Sequence, residues 1–435
     1  MTRAIDLLSL SRDVARVEER RAAGSVDPFE TARHVSTQST YRALAEATIA
    51  AHEEPIREGL ARWVYELLQA RVGDDLAKDE ADSLREVDER FAADPPAAFE
   101  SAHRALVVAT SPVLARAALA RLGELAAPVA AVRKERRARR EEVARRLDLD
   151  DPFALATGKK TAELRAVAKA FLDATNDLAE DLRRRAKHTT AADAIHALFA
   201  RDANQGWPAH LGGRWLEDAF RALVTRPFPP GPMPVALGAA SFLRAGAAFG
   251  RAMRNSGTAR SLPFVLARDP YADDAHRFGA LLAMAMAGPI FQRRKLGLSA
   301  RAAAAQSRLL ASTLLGSARV LAVRFLLASH APASVDPTTF EEHTVMAFGA
   351  PLPRTLANAW PDLHVDEASR LRGALEAHAF ERSLVDRFDE DWFDNPRAAA
   401  HLGSIAAGPV FALSLSPLEA DAPRSLGRHF ERAIG

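Results

Sequence analysis

Two histidines four residues apart on one helix, with a glutamate beside the first, can hold zinc and activate water, because positions i and i+4 stack on one helical face. No His-Glu-x-x-His occurs in the 435 residues. His188 and His196 stand eight positions apart, roughly 12 Å along a helix axis, and cannot share an ion without a break between them. Glu341, Glu342 and His343 are consecutive, so they point in different directions around a helix and read as solvated surface residues. Asp389, Glu390 and Asp391 are acidic enough for a hard cation but lack the ligand spacing of a calcium loop.

Other chemistry is equally scarce. There is no Gly-x-Ser-x-Gly elbow, no Gly-x-x-x-x-Gly-Lys-Ser/Thr and no Gly-x-Gly-x-x-Gly, which removes the enzyme classes that depend on them. Ser299 in "GLSAR" reads as a helix cap. The absence of cysteine excludes disulfides, thiolate metal sites and thiol nucleophiles. Arg133, Lys134, Arg136, Arg137, Arg139, Arg140, Arg145 and Arg146 form a basic run, but Glu135, Glu141 and Glu142 are interleaved and aromatics are absent. That pattern predicts a solvated, salt-bridged helix from Pro128 to Leu147, with a nucleic-acid or scaffold role as the alternative. Trp207 and Trp215 flank "PAHLGGR", where core packing beside a turn is set against a ligand-lining role.

The elements carrying these residues repeat apolar positions at three- and four-residue spacing, and strand alternation is scarce. Helices are expected from Pro55, from Glu80 to Phe91, from Phe99, Pro112 and Pro128, over Thr161 to Lys187 as one piece, and over Ala191 to Arg201 behind Thr189-Thr190. Further helices are expected from Ser241, near Asp274, over Ser299 to Ser329, Thr338 to Phe348, Asp366 to Asp386 and Pro396 to Ala407. Five prolines in Arg226 to Gly238 exclude a helix there and suggest a short extended piece. The fold class is therefore all-α with at most one small β element. A 48% hydrophobic, 26% charged composition with formal net charge +2 suits a globular protein and gives no argument for nucleic acid or acidic membranes as partners. The apolar "FGALLAMAMAGPIF" is too short to span a bilayer and suits a buried helix. With no signal-peptide pattern at the start, the expected location is cytoplasmic, away from membranes.

Taken in order, the segments from about Thr161 onward resemble the second half of a zinc peptidase of the thimet oligopeptidase/oligoendopeptidase type. They run from "AVAKAFLDATNDLAEDLRRR" through "WPAHLGGRWLEDAFRAL", "SFLRAGAAFGRAM" and "LPFVLARDPYADDAHRFGALLAM" to "FDEDWFDNPRA". The resemblance implies a two-lobed helical, zincin-like architecture with a central groove. Residues 1–150 would form an N-terminal lobe, and 151–435 a peptidase-like lobe whose helix 241–253 stands where the metal-site helix would be. The first zinc histidine then falls on Leu243, the general-base glutamate on Arg244, the second histidine on Ala247 and the third-ligand glutamate near His276. The tyrosine that steadies the oxyanion has no counterpart, since no tyrosine follows Tyr271. This implies a catalytically inactive homologue without metal or cofactor. It would bind a peptide or partner protein, an active paralogous peptidase included, through Arg244, Trp207, Trp215 and His343, with Arg244 pairing with Asp269, Asp273 or Asp274. The alternative is a peptidase with a rearranged site built from His276 with His343 or His378.

Overall fold

The computed structural model describes residues 5–90, 99–198, 212–224, 238–330, 333–360, 363–411 and 421–435; the side chains of 72–75, 77–90 and 100 are outside the description. Helices dominate throughout, and no strand occurs among the described residues. The Pro-rich stretch, apart from Gly238, lies outside them, as does Trp207.

Helix α1 (Leu7–Ala22) begins at Asp6, whose carboxylate accepts the Ser9 N–H at 2.9 Å, and buries Leu7, Leu10, Val14 and Val17 on one face. Thr37 caps α2 (Gln38–Glu46). Helix α3 (Glu54–Arg90) is continuous, where the sequence suggested a separate helix from Glu80. It holds two glycines, Gly59 and Gly73, and each costs only about 1 kcal/mol in a helix, too little to end it. Next come α4 (Phe99–Val107), α5 (Pro112–Glu124), α6 (Ala126–Arg146) and α7 (Pro152–Thr157), with Ser111 capping α5 and Asp151 capping α7.

The single helix expected over 161–187 is two, α8 (Thr161–Ala174) and α9 (Asn176–Ala186). At the break, the Thr175 hydroxyl donates to the Phe171 carbonyl at 2.8 Å, and Arg319 donates to Thr175 Oγ1 and to the Leu172 carbonyl at 2.6 and 2.9 Å. A distant guanidinium thus occupies the Leu172 carbonyl, an acceptor that a continuous helix would use. Helix α10 (Ala191–Leu198) starts as expected, with Thr190 Oγ1 accepting the Asp193 N–H. The remaining helices are α11 (Gly213–Ala219), α12 (Ala239–Gly257), α13 (Phe264–Ala267), α14 (Asp273–Ala287), α15 (Pro289–Leu296), α16 (Ala300–His330), α17 (Pro337–Phe348), α18 (Asp366–Phe388), α19 (Pro396–Ala406) and α20 (Ala422–Ile434).

The centre of the fold is the layer α12–α14–α18. Helices α12 and α14 run antiparallel, since Arg254 meets Asp274, Gly250 meets Phe278 and Gly246 meets Met286. The backbones approach because both carry glycine at the crossing: a methyl on Gly250 would meet the Phe278 carbonyl and lie 2.9 Å from Gly279 Cα. One on Gly279 would lie 2.7 Å from the Ala247 carbonyl. Gly373 performs the same service between α18 and α14. Nearly all of α14 is buried, in keeping with its apolar sequence. By length and composition α16 could cross a membrane, but more than half of its most apolar stretch is buried in the protein, as in a core helix.

The apolar clusters do not part at residue 150. One joins α4, α5 and α6 to α8, α16, α17, α18 and α20, and another joins α1–α3 to Ala156, Val265 and Tyr271. Buried arginines reinforce these joins. Arg62 on α3 donates to the Leu155 and Ala156 carbonyls and, with two nitrogens at 2.9 Å, to Asp269. Arg254 reaches Asp274 and the Ala406, Gly408 and Pro409 carbonyls. Arg372 holds Glu376 at 2.7 Å and the Thr157 carbonyl.

Candidate functional site

Helix α12 turns Ala245, Gly246, Phe249, Gly250 and Met253 into the core and leaves Arg244, Ala247, Ala248 and Arg251 on its more open side. Of the positions singled out from sequence, Leu243 is only 5% exposed and belongs to the aromatic core. Ala247 rests by its carbonyl against Gly279, and His276, on α14, lies against Gly373 of α18. Ala247 therefore lies on the α12–α14 contact and His276 on the neighbouring α14–α18 contact, whereas Leu243 is absorbed in the apolar core. Arg244 is exposed on the same side of α12, two turns before Arg251.

Arg251 and Arg370 are the residues that sequence reasoning missed. A methyl on Gly279 would lie 3.1 Å from Arg251 Cγ, so the Arg251 stem runs over the seam beside His276. Burial, then the charges of Arg370 and Arg251, push the His276 imidazole down to about 4, with Asp366 acting the other way. Burial and the Arg370 charge also lower Arg251. Arg370 pairs with Asp366 at 2.6 Å, while its buried Nε has no hydrogen-bond partner. The face is thus a cationic corner around a neutral imidazole.

This corner connects to a cavity of about 540 Å³ beside α3, α6 and the 148–153 turn, whose lining includes Tyr65, Gln69, Arg140 and His364. His364 Nδ1 lies 3.5 Å from an Asp366 oxygen, and its Nε2 lies 3.7 Å from Glu66. Burial alone would lower His364, but Asp366 and Glu66 outweigh it and raise its basicity. Burial would raise Asp366, yet the bond from His364 and the charge of Arg370 hold it well below the usual carboxylate range. A charged line, Glu66–His364–Asp366–Arg370, therefore runs from the cavity to the corner.

The expected partners of Arg244 are committed elsewhere. Asp269 pairs with Arg62 and Asp274 with Arg254 and Arg277; Asp273 is buried, accepts the Asp274 N–H at 2.6 Å and is raised well above the carboxylate range, first by burial. The arginine of α12 that meets this acidic group is Arg254, ten positions after Arg244, because the antiparallel crossing sets the start of α14 beside the end of α12.

Trp215 packs on Phe242 and Phe291 at 5.9 and 6.4 Å and is a core residue on the α12 side. His343 is on α17, where Nδ1 lies 2.8 Å from the Thr339 carbonyl and the ring faces His330; it does not join the corner. His378 lies against the tilted ring of His429 of α20, so the histidines considered for a rearranged metal site occupy three different settings. No group of three His, Cys, Asp or Glu side chains able to share a metal ion occurs among the described residues.

The basic run also differs from expectation. Arg133 and Arg137 are buried, 9% and 3% exposed, and donate to Ala359 and Asn358. Arg139, Arg145 and Arg146 do form the exposed pairs foreseen, with Glu135 and Glu142. Asp391 and Asp394 pair with Arg294, and Asp394 also with Lys295, so the acidic stretch near Asp389 is part of an ion-pair cluster.

No family model matches the sequence, and no curated protein matches it. A solved structure described as "The Structure of CHT" is similar over 97% of this chain and 97% of its own, with 11% sequence identity and a TM-score of 0.49. A likeness that loose carries no argument about fold or function.

Proposed function

We propose that this chain binds a peptide or partner protein without hydrolysing it, and that the α12–α14–α18 corner receives a carboxylate of that ligand, either a chain terminus or an acidic side chain. The observation that carries the reading is Arg251, a half-buried guanidinium with no carboxylate partner among the described residues. It stands beside Arg370 and a neutral His276. Fixed positive charge repels a divalent metal and suits a planar anion, which a guanidinium grips with two parallel N–H donors. The resemblance to zinc oligopeptidases places their metal ligands on Leu243, Ala247 and His276, and apolar groups at two of those positions supply no donor. The neighbouring cavity gives the rest of a peptide room beside Tyr65 and His364.

Carboxylate binding beside His276 would raise its basicity above about 4, so binding takes up a proton and tightens as pH falls towards 4. The test is fluorescence anisotropy with a labelled random-peptide pool in free-acid and C-terminally amidated forms, with and without added zinc. Free-acid peptides that bind, stay intact and lose about tenfold or more in affinity with Arg251→Gln agree with the proposal. Cleavage in the presence of zinc, or equal binding by Arg251→Gln, overturns it.

A further inference from the structure

A second cationic pocket lies away from this corner, between α18 and α20. It is a cavity of about 450 Å³ lined by Arg382, Ser425, Arg428, Glu431 and Arg432. Beside it, His378 is 3% exposed, and neither of its ring nitrogens has a hydrogen-bond partner. Its ring lies against His429 with centroids 4.5 Å apart and the planes tilted by 43°. His378 sits one turn before Arg382 on α18, and His429 lies between Arg428 and Arg432 on α20.

Three guanidiniums share the lining with a single carboxylate, Glu431, so donors outnumber acceptors. Arg382 reaches Ser425 Oγ at only 3.4 Å, Arg432 Nε donates to the Arg428 carbonyl at 3.2 Å, and Arg428 leans outward to the exposed Asp421 at 2.7 Å. The groups acting on His378 are His429, then Arg382, Arg432 and Arg428, and the one acting on His429 is Arg432; no carboxylate is among them. Burial and then these like charges hold both imidazoles neutral, at about 3 and about 4. An orphaned buried ring nitrogen is costly, and a cluster of donors invites an acceptor from solution.

We propose that this pocket binds a phosphate group. Three guanidiniums from two helices line a volume instead of a plane, with the His378–His429 pair next to them in the chain. That geometry suits a tetrahedral dianion with several acceptor oxygens better than a flat carboxylate. The bound dianion accepts from the Arg382, Arg428 and Arg432 forks and draws a proton onto the histidine pair. The site is separate from the corner on α12, so the two readings stand or fall independently.

The experiment is two-dimensional ¹H–¹⁵N NMR of the histidine rings during titration with inorganic phosphate, with sodium chloride at equal ionic strength as the control. Saturable movement of the His378 and His429 resonances and an upward shift of their titration, with His276 unmoved, are expected. Parallel titrations with free phosphoserine and with glycerol phosphate distinguish an amino-acid-borne phosphate from one on a small metabolite. Arg382→Gln and Arg432→Gln, both at exposed positions, should each weaken binding by about tenfold or more while circular dichroism is unchanged. Equal responses to phosphate and chloride, or wild-type binding by both variants, overturn the proposal.

Discussion

Replacing Gly373 by alanine isolates the contact that sets α18 against α14. A methyl there would lie 2.8 Å from the Arg277 amide nitrogen, 2.8 Å from His276 Cβ and 2.9 Å from the His276 carbonyl carbon. Non-bonded carbons settle at about 3.5–4.0 Å, so α18 has to retreat by roughly 0.7–1 Å. Two of the three obstacles are backbone and the third is a Cβ, so no rotamer change relieves the clash. Overpacking of this kind costs about 1–3 kcal/mol, against a helix-propensity gain of about 0.8–1 kcal/mol for Gly→Ala. The net expectation is a loss of about 1 kcal/mol, reaching about 2 if the helices cannot slide. Gly403 in α19 supplies the control, because nothing lies within 4 Å of its added methyl, and there the same substitution should stabilise by about 0.5–1 kcal/mol. Urea unfolding, followed by far-UV circular dichroism and by tryptophan fluorescence with coincident transitions, measures both. If Gly373→Ala stabilises as much as Gly403→Ala, the inference of backbone-to-backbone contact is wrong.

Within the basic run, Arg137→Ala should lower stability by about 2–3 kcal/mol, because Arg137 holds Asn358, which in turn bonds Val335 twice at 3.0 Å. Arg139→Ala should leave the urea midpoint unchanged, since its pair with Glu135 is solvent-exposed; equal losses would refute the inward orientation. His276 titrates at about 4 in the folded chain against an ordinary 6.5. Its contribution is therefore fully present above pH 6.5 and is lost as pH falls towards 4, where the unfolded chain binds the extra proton. His276→Gln should accordingly lose less thermal stability than the wild type between pH 7 and about 4.5, and parallel pH profiles would count against the burial of this ring.

The helical character was legible because it rests on local chemistry. Pro112, Thr190 and Ser299 mark helix starts by sequence alone, whereas the Asp151 cap of α7 was not anticipated; the apolar run of α14 is buried as its composition demands. Charge in the interior was not legible, because an arginine reads as surface wherever its acceptors are distant in sequence. Arg62 finds its partners at Leu155, Ala156 and Asp269, and Arg254 at Ala406 to Pro409. One local sign existed for Arg133 and Arg137: they fall at helical spacing with Ala126, Val129 and Ala144, all buried. The candidate site was half legible. The open side of α12 was reached through Arg244 and the contacts of α14 with its two neighbours through Ala247 and His276, but Arg251 and Arg370 come from helices whose adjacency only the fold supplies.

The arginine cross-links bear on how the chain assembles. Arg62 sits before residue 150 and all of its acceptors after it, so a fragment that stops at 150 would strand a guanidinium among Tyr271- and Phe411-deprived apolar surroundings. Neither half can dry its share of the join before the other arrives. Water must therefore leave that seam in a late, concerted step of folding, and severed halves should complement one another when mixed instead of persisting as separate compact bodies.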